Sequence, residues 1–387
     1  MISYQRAALT LITRYAEIYP AVAINGPRQS GKTTLAKTAF PHLPYVSLEE
    51  LDVRIRAEHD PRKFLSAYPD GAIFDEIQLV PHLLSYLQGV IDTSNTTGRF
   101  VITGSQNFAL NEKITQSLAG RVGQVTLLPL SYSELATAIN PLDLIVKGGY
   151  PRLHLKNMLP HEFYPHYIQS YIERDVRQIK NIENLSTFKL FTALCAGRVG
   201  QVLNLNTLAE DCSITQPTAR QWLTILEASY IVFTLRPYHK NFNKRLTKSP
   251  KLYFYDTGVA ASLLGIKTPE ELNTHYARGA LFENLIILEV LKNRLNRGHE
   301  PRMYFWREGT TEGGGKEIDL IDEWNGATNL FEIKSSHTFH PKDAKTLETL
   351  APLFSNSKSA IVYGGPQQGV FGDTTLLSLN TLEKALV

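Results

Sequence analysis

The stretch Ala21-Val22-Ala23-Ile24-Asn25-Gly26-Pro27-Arg28-Gln29-Ser30-Gly31-Lys32-Thr33 decides the fold at the start of this 387-residue chain. Its first five residues are mostly apolar and predict a short buried strand that runs directly into Gly26. The residues after Thr34 predict the start of a helix. A strand, a loop of the form G-x-x-x-x-G-K-[ST] and a helix, in this order, are typical of a phosphate-binding loop.

The residue types of this loop are suited to hold the phosphates of ATP. Gly26 and Gly31 permit a tight turn whose backbone N–H groups point at phosphate oxygens, and the helix N-terminus adds a positive dipole end. We expect Lys32 to reach the β and γ phosphates and the Thr33 hydroxyl to ligate Mg²⁺. The predicted nucleotide-binding residues are Gly26, Pro27, Arg28, Gln29, Ser30, Gly31, Lys32, Thr33 and Thr34. The alternative interpretation is a coincidental glycine-rich turn.

A second predicted strand, residues 72–74, ends in two acids about 40 residues after the loop. We expect Asp75 to hold the Mg²⁺ shell and Glu76 to activate the water that attacks ATP. A βαβ layout would bring this strand end close to the phosphate loop. The alternative is an ordinary strand with an acidic turn at its end.

A third predicted strand, residues 100–103, ends in small polar groups. Ser105, Gln106 or Asn107 is a candidate to sense the γ-phosphate or to orient the water, and a simple strand-end turn is the alternative. Further on, Arg121 is a candidate arginine finger, offered to a neighbouring subunit. A surface arginine in a salt bridge is the alternative for that residue.

The chain divides into four predicted segments. Residues 1–140 alternate strands with helices, which is typical of a parallel α/β sheet and predicts the P-loop ATPase domain. Residues 141–200 predict a helical lid or linker, residues 201–250 a winged helix-turn-helix, and residues 251–387 a second α/β domain. The strands predicted in the first segment are 21–25, 45–47, 72–74, 100–103 and 125–128, and the main helices predicted later are 163–180, 185–196 and 282–296.

The third segment contains two short helical stretches joined by a turn, with Thr215 as the N-cap of the second. In a helix-turn-helix the second helix commonly enters the major groove of DNA. The basic residues that follow without an intervening acid are Arg236, Lys240, Lys244, Arg245, Lys248 and Lys251, with Tyr238 and Phe242 among them. A basic wing of this kind suits contacts with phosphates. The alternative is that this fold only packs against the ATPase domain.

The last segment carries a pattern of acids and a lysine on two predicted neighbouring strands. Strand alternation places Glu332 and Lys334 on one face, and Asp319 is expected to lie beside Glu332 across the pair. Two carboxylates would then bind one Mg²⁺, and Lys334 would orient the attacking water. Glu283 opens a helix upstream and is a candidate third acid. A surface strand with a salt-bridged Glu–Lys pair is the alternative.

Several motifs together resemble a known family, the prokaryotic AAA-type P-loop ATPases. The resemblance rests on Gly26–Thr34, Asp75-Glu76-Ile77-Gln78, Thr103-Gly104-Ser105-Gln106, Leu118-Ala119-Gly120-Arg121, Gly148-Gly149-Tyr150-Pro151, Tyr171-Ile172-Glu173-Arg174-Asp175, Phe254-Tyr255-Asp256-Thr257-Gly258 and Phe282-Glu283-Asn284. It implies ATP and Mg²⁺ as cofactors, a homo-oligomer, and a C-terminal domain of unknown function with a restriction-endonuclease-like (PD-(D/E)xK) fold. Ser105 stands where the sensor asparagine of AAA ATPases is common.

Composition excludes other classes. The net charge of +3 is too small to imply a polyanion partner by itself, and Cys195 and Cys212 are the only cysteines, so we expect neither a disulfide framework nor a cysteine-based zinc site. No apolar run is long enough to span a membrane, and we expect a cytoplasmic protein.

The sequence leaves three functions open. The first is a Mg²⁺-dependent ATPase coupled to a nucleic-acid-binding, DNA-cleaving C-terminal domain. The second is a regulatory ATPase switch whose silent C-terminal domain binds a protein partner. The third is a transcription regulator, which rests on the helix-turn-helix alone.

Overall fold

The fold is seen in a computed structural model, which describes residues 4–94, 96–105, 118–135, 139–173, 184–239, 249–308 and 316–386, with the side chains of 171–173 left out. The chain forms two compact units. Unit 1 comprises residues 1–130, 228–230 and 294–299, and unit 2 comprises residues 131–227, 231–293 and 300–387.

Unit 1 contains a five-stranded parallel sheet with the strand order β2-β3-β4-β1-β5. The strands are β1 (Ala21–Asn25), β2 (Tyr45–Ser47), β3 (Ala72–Asp75), β4 (Phe100–Gly104) and β5 (Val122–Thr126). The parallel α/β sheet predicted from the sequence is therefore confirmed. Only β5 departs from its predicted bounds by more than one residue, because it enters the sheet where Val122 pairs with Ala21 and leaves it before Leu127.

Helices cover both faces of this sheet. They are α1 (Leu9–Ile18), α2 (Lys32–Ala39), α3 (Leu51–His59), α4 (Pro61–Ser66) and α5 (Leu83–Asp92), with a short 3₁₀ turn at Ile77–Leu79. All residues of β1 are buried, because successive side chains pack into the apolar cores on opposite faces of the sheet. This central position fixes the end of β1, where the phosphate loop begins.

Unit 2 begins with helices. Those up to residue 228 are α6 (Pro141–Lys147), α7 (Pro151–Leu155), α8 (Pro160–Tyr167), α9 (Leu185–Ala196), α10 (Leu205–Asp211) and α11 (Gln216–Ala228), with a 3₁₀ turn at Ser133–Leu135 and a π-helix at Ile168–Glu173. The helix predicted over 163–180 thus starts earlier, at Pro160, and changes to the π-helix at Ile168. Residues 174–180 of that prediction lie outside the described residues.

The later helices of the chain are α12 (Thr257–Leu263), α13 (Pro269–Thr274), α14 (Arg278–Asn296), α15 (Pro341–Leu350) and α16 (Leu379–Ala385), with a 3₁₀ turn at Ala351–Leu353. None of the helices within the described ranges is both long and apolar enough to cross a membrane.

Unit 2 also contains an eight-stranded mixed sheet with the order β12-β13-β11-β10-β9-β8-β6-β7. Its strands are β6 (Val232–Pro237), β7 (Lys251–Phe254), β8 (Met303–Arg307), β9 (Glu317–Trp324), β10 (Ala327–Lys334), β11 (Ser357–Tyr363), β12 (Gly369–Phe371) and β13 (Thr374–Leu377). β6 pairs with both β7 and β8, so the strands that follow the two helices α10 and α11 share one sheet with the C-terminal strands.

The pairing of β8 with β9 contains an irregularity beside Asp319. Tyr304 pairs with Ile321 but Trp306 pairs with Ile318, so two steps along β8 match three along β9. The extra residue in β9 is a β-bulge, which turns side chains away from the regular alternation of a strand. Bulges are frequent next to functional sites.

Candidate functional site

The phosphate loop has a backbone that only glycine permits at its two ends. Gly26 has φ of 146° and Gly31 has φ of 97°, both in the region that disfavours other residues. A Cβ atom on Gly26 would lie 2.2 Å from the carbonyl oxygen of Leu127. Gly31 is the N-cap of α2, so the loop ends with the free N–H groups of that helix start.

Lys32 lies folded over this loop and is buried. Its Nζ donates to the carbonyl oxygens of Gly26 (3.0 Å) and Pro27 (2.8 Å). Burial lowers the pKa of Lys32 to about 8, against the opposing effect of the Glu76 and Asp75 carboxylates. The ammonium group is therefore held by neutral carbonyl oxygens. These are weaker acceptors than the charged phosphate oxygens that would take their place.

Asp75 is surrounded by hydroxyl donors. Thr33 Oγ1 lies 3.0 Å from both of its carboxylate oxygens, Tyr45 Oη donates to Oδ2 at 2.7 Å, and Thr103 Oγ1 donates to Oδ1. Burial, followed by the hydrogen bond to Asp75, raises the pKa of Tyr45. A carboxylate and a threonine hydroxyl in contact form the oxygen pair that suits Mg²⁺ beside ATP.

Glu76 adopts a left-handed backbone with φ of 57° directly after β3. Such a conformation is uncommon for a side chain of this size and is found mostly where the surroundings impose it. Ser105 Oγ donates to Glu76 Oε2 at 3.0 Å, and Gln78 Nε2 bonds to both side chains, to Ser105 Oγ at 3.1 Å. The structure thus brings Glu76 and Ser105 together, whereas Gln106 and Asn107 lie outside the described residues.

The remaining loop residues differ in their surroundings. Arg28 is half-buried, Gln29 and Thr34 are exposed, and Ser30 is buried with no hydrogen-bond partner for its hydroxyl. Arg6 donates to the carbonyl oxygens of Ser30 (2.6 Å) and Leu128 (2.7 Å). Arg6 therefore holds the loop against the segment after β5, and no sequence pattern predicts this role because Arg6 lies 20 residues upstream of the motif.

Arg121 is paired within its own unit. Its Nε and Nη2 donate to the two carboxylate oxygens of Asp92, the second at 3.0 Å, and Nη1 donates to the carbonyl of Ala119 at 3.1 Å. This bidentate pair corresponds to the salt-bridged alternative considered for Arg121. Its role as an arginine finger stays a prediction.

Unit 2 contains a buried cluster of acids and lysines around the bulge in β9. At one end, Lys251 Nζ bonds to Glu283 Oε1 (3.1 Å) and Glu317 Oε1 (2.5 Å). Tyr253 Oη donates to the same oxygen of Glu283 at 2.5 Å. Lys251 was assigned to the basic wing from its sequence, but it is buried among these carboxylates and does not face solvent.

At the other end of the cluster, Lys334 Nζ bonds to Glu332 Oε1 at 2.5 Å, and Asp319 Oδ2 accepts the backbone N–H of Ile333 at 2.8 Å. The register of β9 with β10 ends at the pair of Leu320 with Phe331, and Asp319 and Glu332 are the next residues beyond that pair. Glu332 is 8% exposed, and its Oε2 is buried without a hydrogen-bond partner. We refer to Lys251, Tyr253, Glu283, Glu317, Asp319, Glu332 and Lys334 together as the carboxylate cluster.

Burial has a strong effect on the acids of the carboxylate cluster. It raises the pKa of Glu283 and of Glu332 to about 7, and the neighbouring Asp319 adds to both shifts. Burial also raises the pKa of Asp319, against the effect of Lys334 and Lys251. Shifts of this kind, produced by desolvation and specific charged neighbours, are common at functional sites.

Across the residues that the structure describes, no group of three or more His, Cys, Asp and Glu side chains is arranged to hold a metal ion. In the carboxylate cluster, ammonium groups stand between acids that would otherwise share a cation. The structure brings together the four residues predicted for this site. Lys251, Tyr253 and Glu317 lie among them, and these three were not predicted for the site. No local pattern marks these three as partners of Glu283.

The helix pair α10 and α11 has the predicted local features. Thr215 Oγ1 accepts the N–H of Thr218 at 3.2 Å, and the apolar face of α11 is buried while Arg220 and Gln221 are exposed. Of the basic stretch that follows, Arg236 is exposed, and Tyr238 packs against Tyr304 and Phe354. Residues 240–248, which carry most of the predicted wing charges, lie outside the described residues.

Known families match three consecutive parts of the chain. Residues 19–136 match an AAA domain, residues 139–270 a domain of unknown function (DUF8612), and residues 278–382 another domain of unknown function (DUF4143). Uncharacterized proteins of Mycobacterium tuberculosis and Mycobacterium bovis are each 30% identical to this chain over 379 residues, covering 97% of it and 83% of the relative. The chain belongs to their family. Its N-terminal part is an AAA-type ATPase domain.

More distant likenesses cover smaller parts of the chain. An uncharacterized protein of Haemophilus influenzae is 22% identical, with 88% of each chain covered. Among solved structures, the Walker-type ATPase of Pyrococcus abyssi is 14% identical, with a TM-score of 0.46 over 66% of this chain and 94% of that one. DnaA from Aquifex aeolicus bound to AMPPCP is 12% identical, with a TM-score of 0.30 over 57% of this chain and 85% of that one. These TM-scores are too low to support a shared fold.

Proposed function

We propose that this protein is a Mg²⁺-dependent ATPase whose nucleotide cycle controls a nucleic-acid-binding and nucleic-acid-cleaving unit 2. The observation that carries the ATPase part is the contact between Asp75 and Thr33, the residue that follows Lys32. Glu76, the residue that follows Asp75, is bonded to Ser105. These residues come from three segments of the chain and meet at one edge of the parallel sheet. That edge is where open α/β sheets bind ligands.

Each side chain has a task that its position supports. Lys32 exchanges its bonds to the carbonyls of Gly26 and Pro27 for bonds to phosphate oxygens, and Thr33 and Asp75 hold the cation. A bound Mg²⁺ would stabilise the negative charge on the ATP phosphates as the bond between them breaks. Glu76 accepts the proton of the attacking water, and Ser105 keeps the Glu76 carboxylate in position.

The test of this part is nucleotide binding and turnover by the purified chain with Lys32→Ala. Lys63→Ala, which removes an exposed lysine of α4, is the matched control. We expect calorimetry to show ATP binding by the control and not by Lys32→Ala, with hydrolysis lost in parallel. Equal ATP binding and turnover by both variants would overturn the proposal.

The proposal for unit 2 rests on the carboxylate cluster. Asp319 and Glu332 are placed to bind a divalent cation, since both are buried acids and Glu332 has a free oxygen. Lys334, which is more exposed than they are, is placed to orient water or to contact the scissile phosphate. The two helices α10 and α11, with exposed Arg220, supply the proposed contact with nucleic acid.

The corresponding assay is cleavage of DNA and RNA in duplex, branched and single-stranded forms, with Mg²⁺ or Mn²⁺ and with or without ATP. We expect cleavage of at least one of these substrates, lost in Asp319→Asn. If no substrate is cut, the nuclease part of the proposal fails while the ATPase part stands.

The second candidate function is a regulatory ATPase whose unit 2 binds a protein partner without cutting. The ion pairs of Lys251 with Glu283 and Glu317 favour it, because Glu283, the candidate third acid for a cation, is bonded to an ammonium group instead. Under this alternative, Asp319→Asn and Lys334→Ala leave every activity of the protein unchanged.

We also propose that ATP hydrolysis requires a homo-oligomer in which Arg121 acts on the neighbouring subunit. Because Arg121 is bonded to Asp92 of its own unit, assembly would have to displace that carboxylate. A mixture of Lys32→Ala and Arg121→Ala chains tests this, since each lacks what the other supplies. We expect turnover above that of either variant alone, and no recovery would contradict the shared site.

A further inference from the structure

The carboxylate cluster carries more negative than positive charge in a buried place. Its four acids are Glu283, Glu317, Asp319 and Glu332, whereas its cations are Lys251 and Lys334, with Arg307 Nε 3.7 Å from Glu317 at the exposed edge. Removing charges from water costs several kcal/mol per ion unless they are compensated, by order of magnitude. With Arg307 counted, the acids still outnumber the cations by one, and a further cation would offset that excess.

The two lysines lie at opposite ends of the cluster and differ in how firmly they are held. The side chain of Lys251 is 5% exposed and bonds to two acids, whereas that of Lys334 is 38% exposed and bonds to one. Lys251 also begins β7, where its backbone pairs with Leu235. Its backbone is thus fixed in the sheet, and its buried side chain is held in the cluster by two acids.

The unsatisfied group lies at the other end. Glu332 Oε1 is bonded to Lys334, but Oε2 is buried and has no partner. A buried carboxylate oxygen without a donor is costly, and a cation beside it removes that cost. Asp319 and Glu332 are the residues next beyond the last pair of the β9–β10 register, and Asp319 keeps Oδ1 for a second ligand because the backbone N–H of Ile333 bonds to Oδ2.

We infer that the Lys251 ammonium fills one of two cation positions in the carboxylate cluster, and that the cluster therefore takes a single divalent cation, at the Asp319–Glu332 end. Glu283 and Glu317 serve Lys251 and not the metal. This inference rests on the proposed metal site of unit 2. It adds the reason why that site takes one divalent cation, which is the ammonium group of Lys251. A lysine suits this role since its compact charge carries three donors, two of which Glu283 and Glu317 accept.

The test counts Mn²⁺ ions bound to the nucleotide-free, full-length chain by equilibrium dialysis and electron paramagnetic resonance. All samples carry Asp75→Asn, which removes the carboxylate of the ATP site from the count. Lys251→Met replaces the ammonium by an uncharged side chain of similar length, and Lys251→Arg is the control that keeps the charge. Circular dichroism with and without Mn²⁺ checks that each variant folds.

We expect about one Mn²⁺ per chain in the Asp75→Asn background and in Lys251→Arg, and about two in Lys251→Met. If Lys251→Met folds and still binds about one, the inference about Lys251 is wrong while the metal site of unit 2 survives. If Lys251→Met does not fold even with Mn²⁺, a cation does not replace the ammonium, and the inference is equally wrong.

A second pair of variants separates the inference from the proposal beneath it. Glu332→Gln removes an acid of the metal end, and Glu317→Gln removes an acid of the Lys251 end. We expect Glu332→Gln to abolish Mn²⁺ binding and Glu317→Gln to leave it at about one ion. If neither variant changes the count, the bound Mn²⁺ lies elsewhere and the metal site of unit 2 itself is refuted.

Discussion

The phosphate loop and the carboxylate cluster both join buried acids with lysines, but they satisfy those acids by different means. Asp75 receives its hydrogen bonds from the neutral hydroxyls of Thr33, Tyr45 and Thr103. Glu283 and Glu332 each accept a bond from an ammonium group, of Lys251 and Lys334 respectively, and Glu283 accepts another from the Tyr253 hydroxyl. Neutral donors leave the negative charge of a carboxylate available to a cation, whereas an ammonium group neutralises it.

The lysines show the same contrast. Lys32 rests on backbone carbonyls, which are weaker acceptors than the phosphates it would meet. Lys251 rests on two carboxylates, which compete with any incoming anion for its ammonium group, and that ammonium group competes with any incoming cation for the carboxylates. The first site is therefore arranged to receive charged ligands, while most of the charge in the second is matched internally.

The largest effect should come from Glu76→Gln, which tests whether the first site performs chemistry. Glutamine keeps a hydrogen bond to Ser105 but cannot accept a proton, so we expect hydrolysis of bound ATP to fall by about 10²–10⁴-fold while ATP binding persists. Single-turnover phosphate release measures this, with the exposed Glu49→Gln as a control. A rate equal to that of the unaltered chain would remove Glu76 from the mechanism.

The next effect belongs to the second site. We expect Lys334→Met to lower the metal-dependent cleavage rate by about 10²-fold, because a positioned cation near the reacting phosphate is lost, and to leave ATP turnover unchanged. Lys358→Met, on the neighbouring strand β11 and exposed, is the control. If both variants cleave equally well, the exposed ammonium of Lys334 has no part in the reaction.

The two sites should respond to pH with opposite sign. The pKa of Lys32 is lowered to about 8, so above that value the free protein must take up a proton to hold phosphates, and ATP affinity should fall by up to about tenfold per pH unit. Glu332, with a pKa of about 7, loses its proton as the pH rises through 7, so Mn²⁺ affinity should rise there.

Titrations of ATP from pH 7 to about 9.5, and of Mn²⁺ from about pH 6 to 8, measure these slopes. Lys63→Ala serves as the control for the first series and Lys251→Arg for the second. Slopes of the same sign at both sites would contradict the view that ATP binding needs a protonated Lys32 while Mn²⁺ binding needs ionised acids.

The smallest effect tests the neutral donors. Tyr45→Phe removes one hydrogen bond from Asp75, which is worth about 0.5–1.5 kcal/mol, so the apparent affinity for Mg²⁺·ATP should fall a few-fold. Tyr253→Phe removes a comparable hydroxyl from Glu283 and should leave that affinity unchanged. An equal loss in both variants would show that the Tyr45 hydroxyl does not act through Asp75.

The sequence predicted the first site more completely than the second. Residues 26–34 are contiguous, and their pattern prescribes a loop between a strand and a helix, so the positions of Lys32 and Thr33 follow from local backbone geometry. Asp75, Glu76 and Ser105 could be anticipated because parallel strands end at the same edge of a sheet. The hydroxyls of Tyr45 and Thr103 could not, since single polar residues at strand ends carry no pattern.

For the second site, strand alternation predicted that Glu332 and Lys334 share a face and that Asp319 lies opposite. Lys251 was misjudged for a physical reason. In the sequence it follows five other basic residues without an acid among them, and a lysine in such a run is usually solvated. Its burial arises because β7 joins the sheet through β6 and meets acids from β9 and α14.

By itself the sequence determined the parallel α/β sheet, the phosphate loop and the four candidate residues of the second site, because these depend on period, spacing and turn chemistry within short segments. The tertiary structure alone decided which side chains satisfy the buried charges: Arg6 at the loop, hydroxyls at Asp75 and Lys251 at Glu283. Such partners come from segments far apart in the chain, and buried charge is compensated by whatever the packing of those segments brings within hydrogen-bond distance.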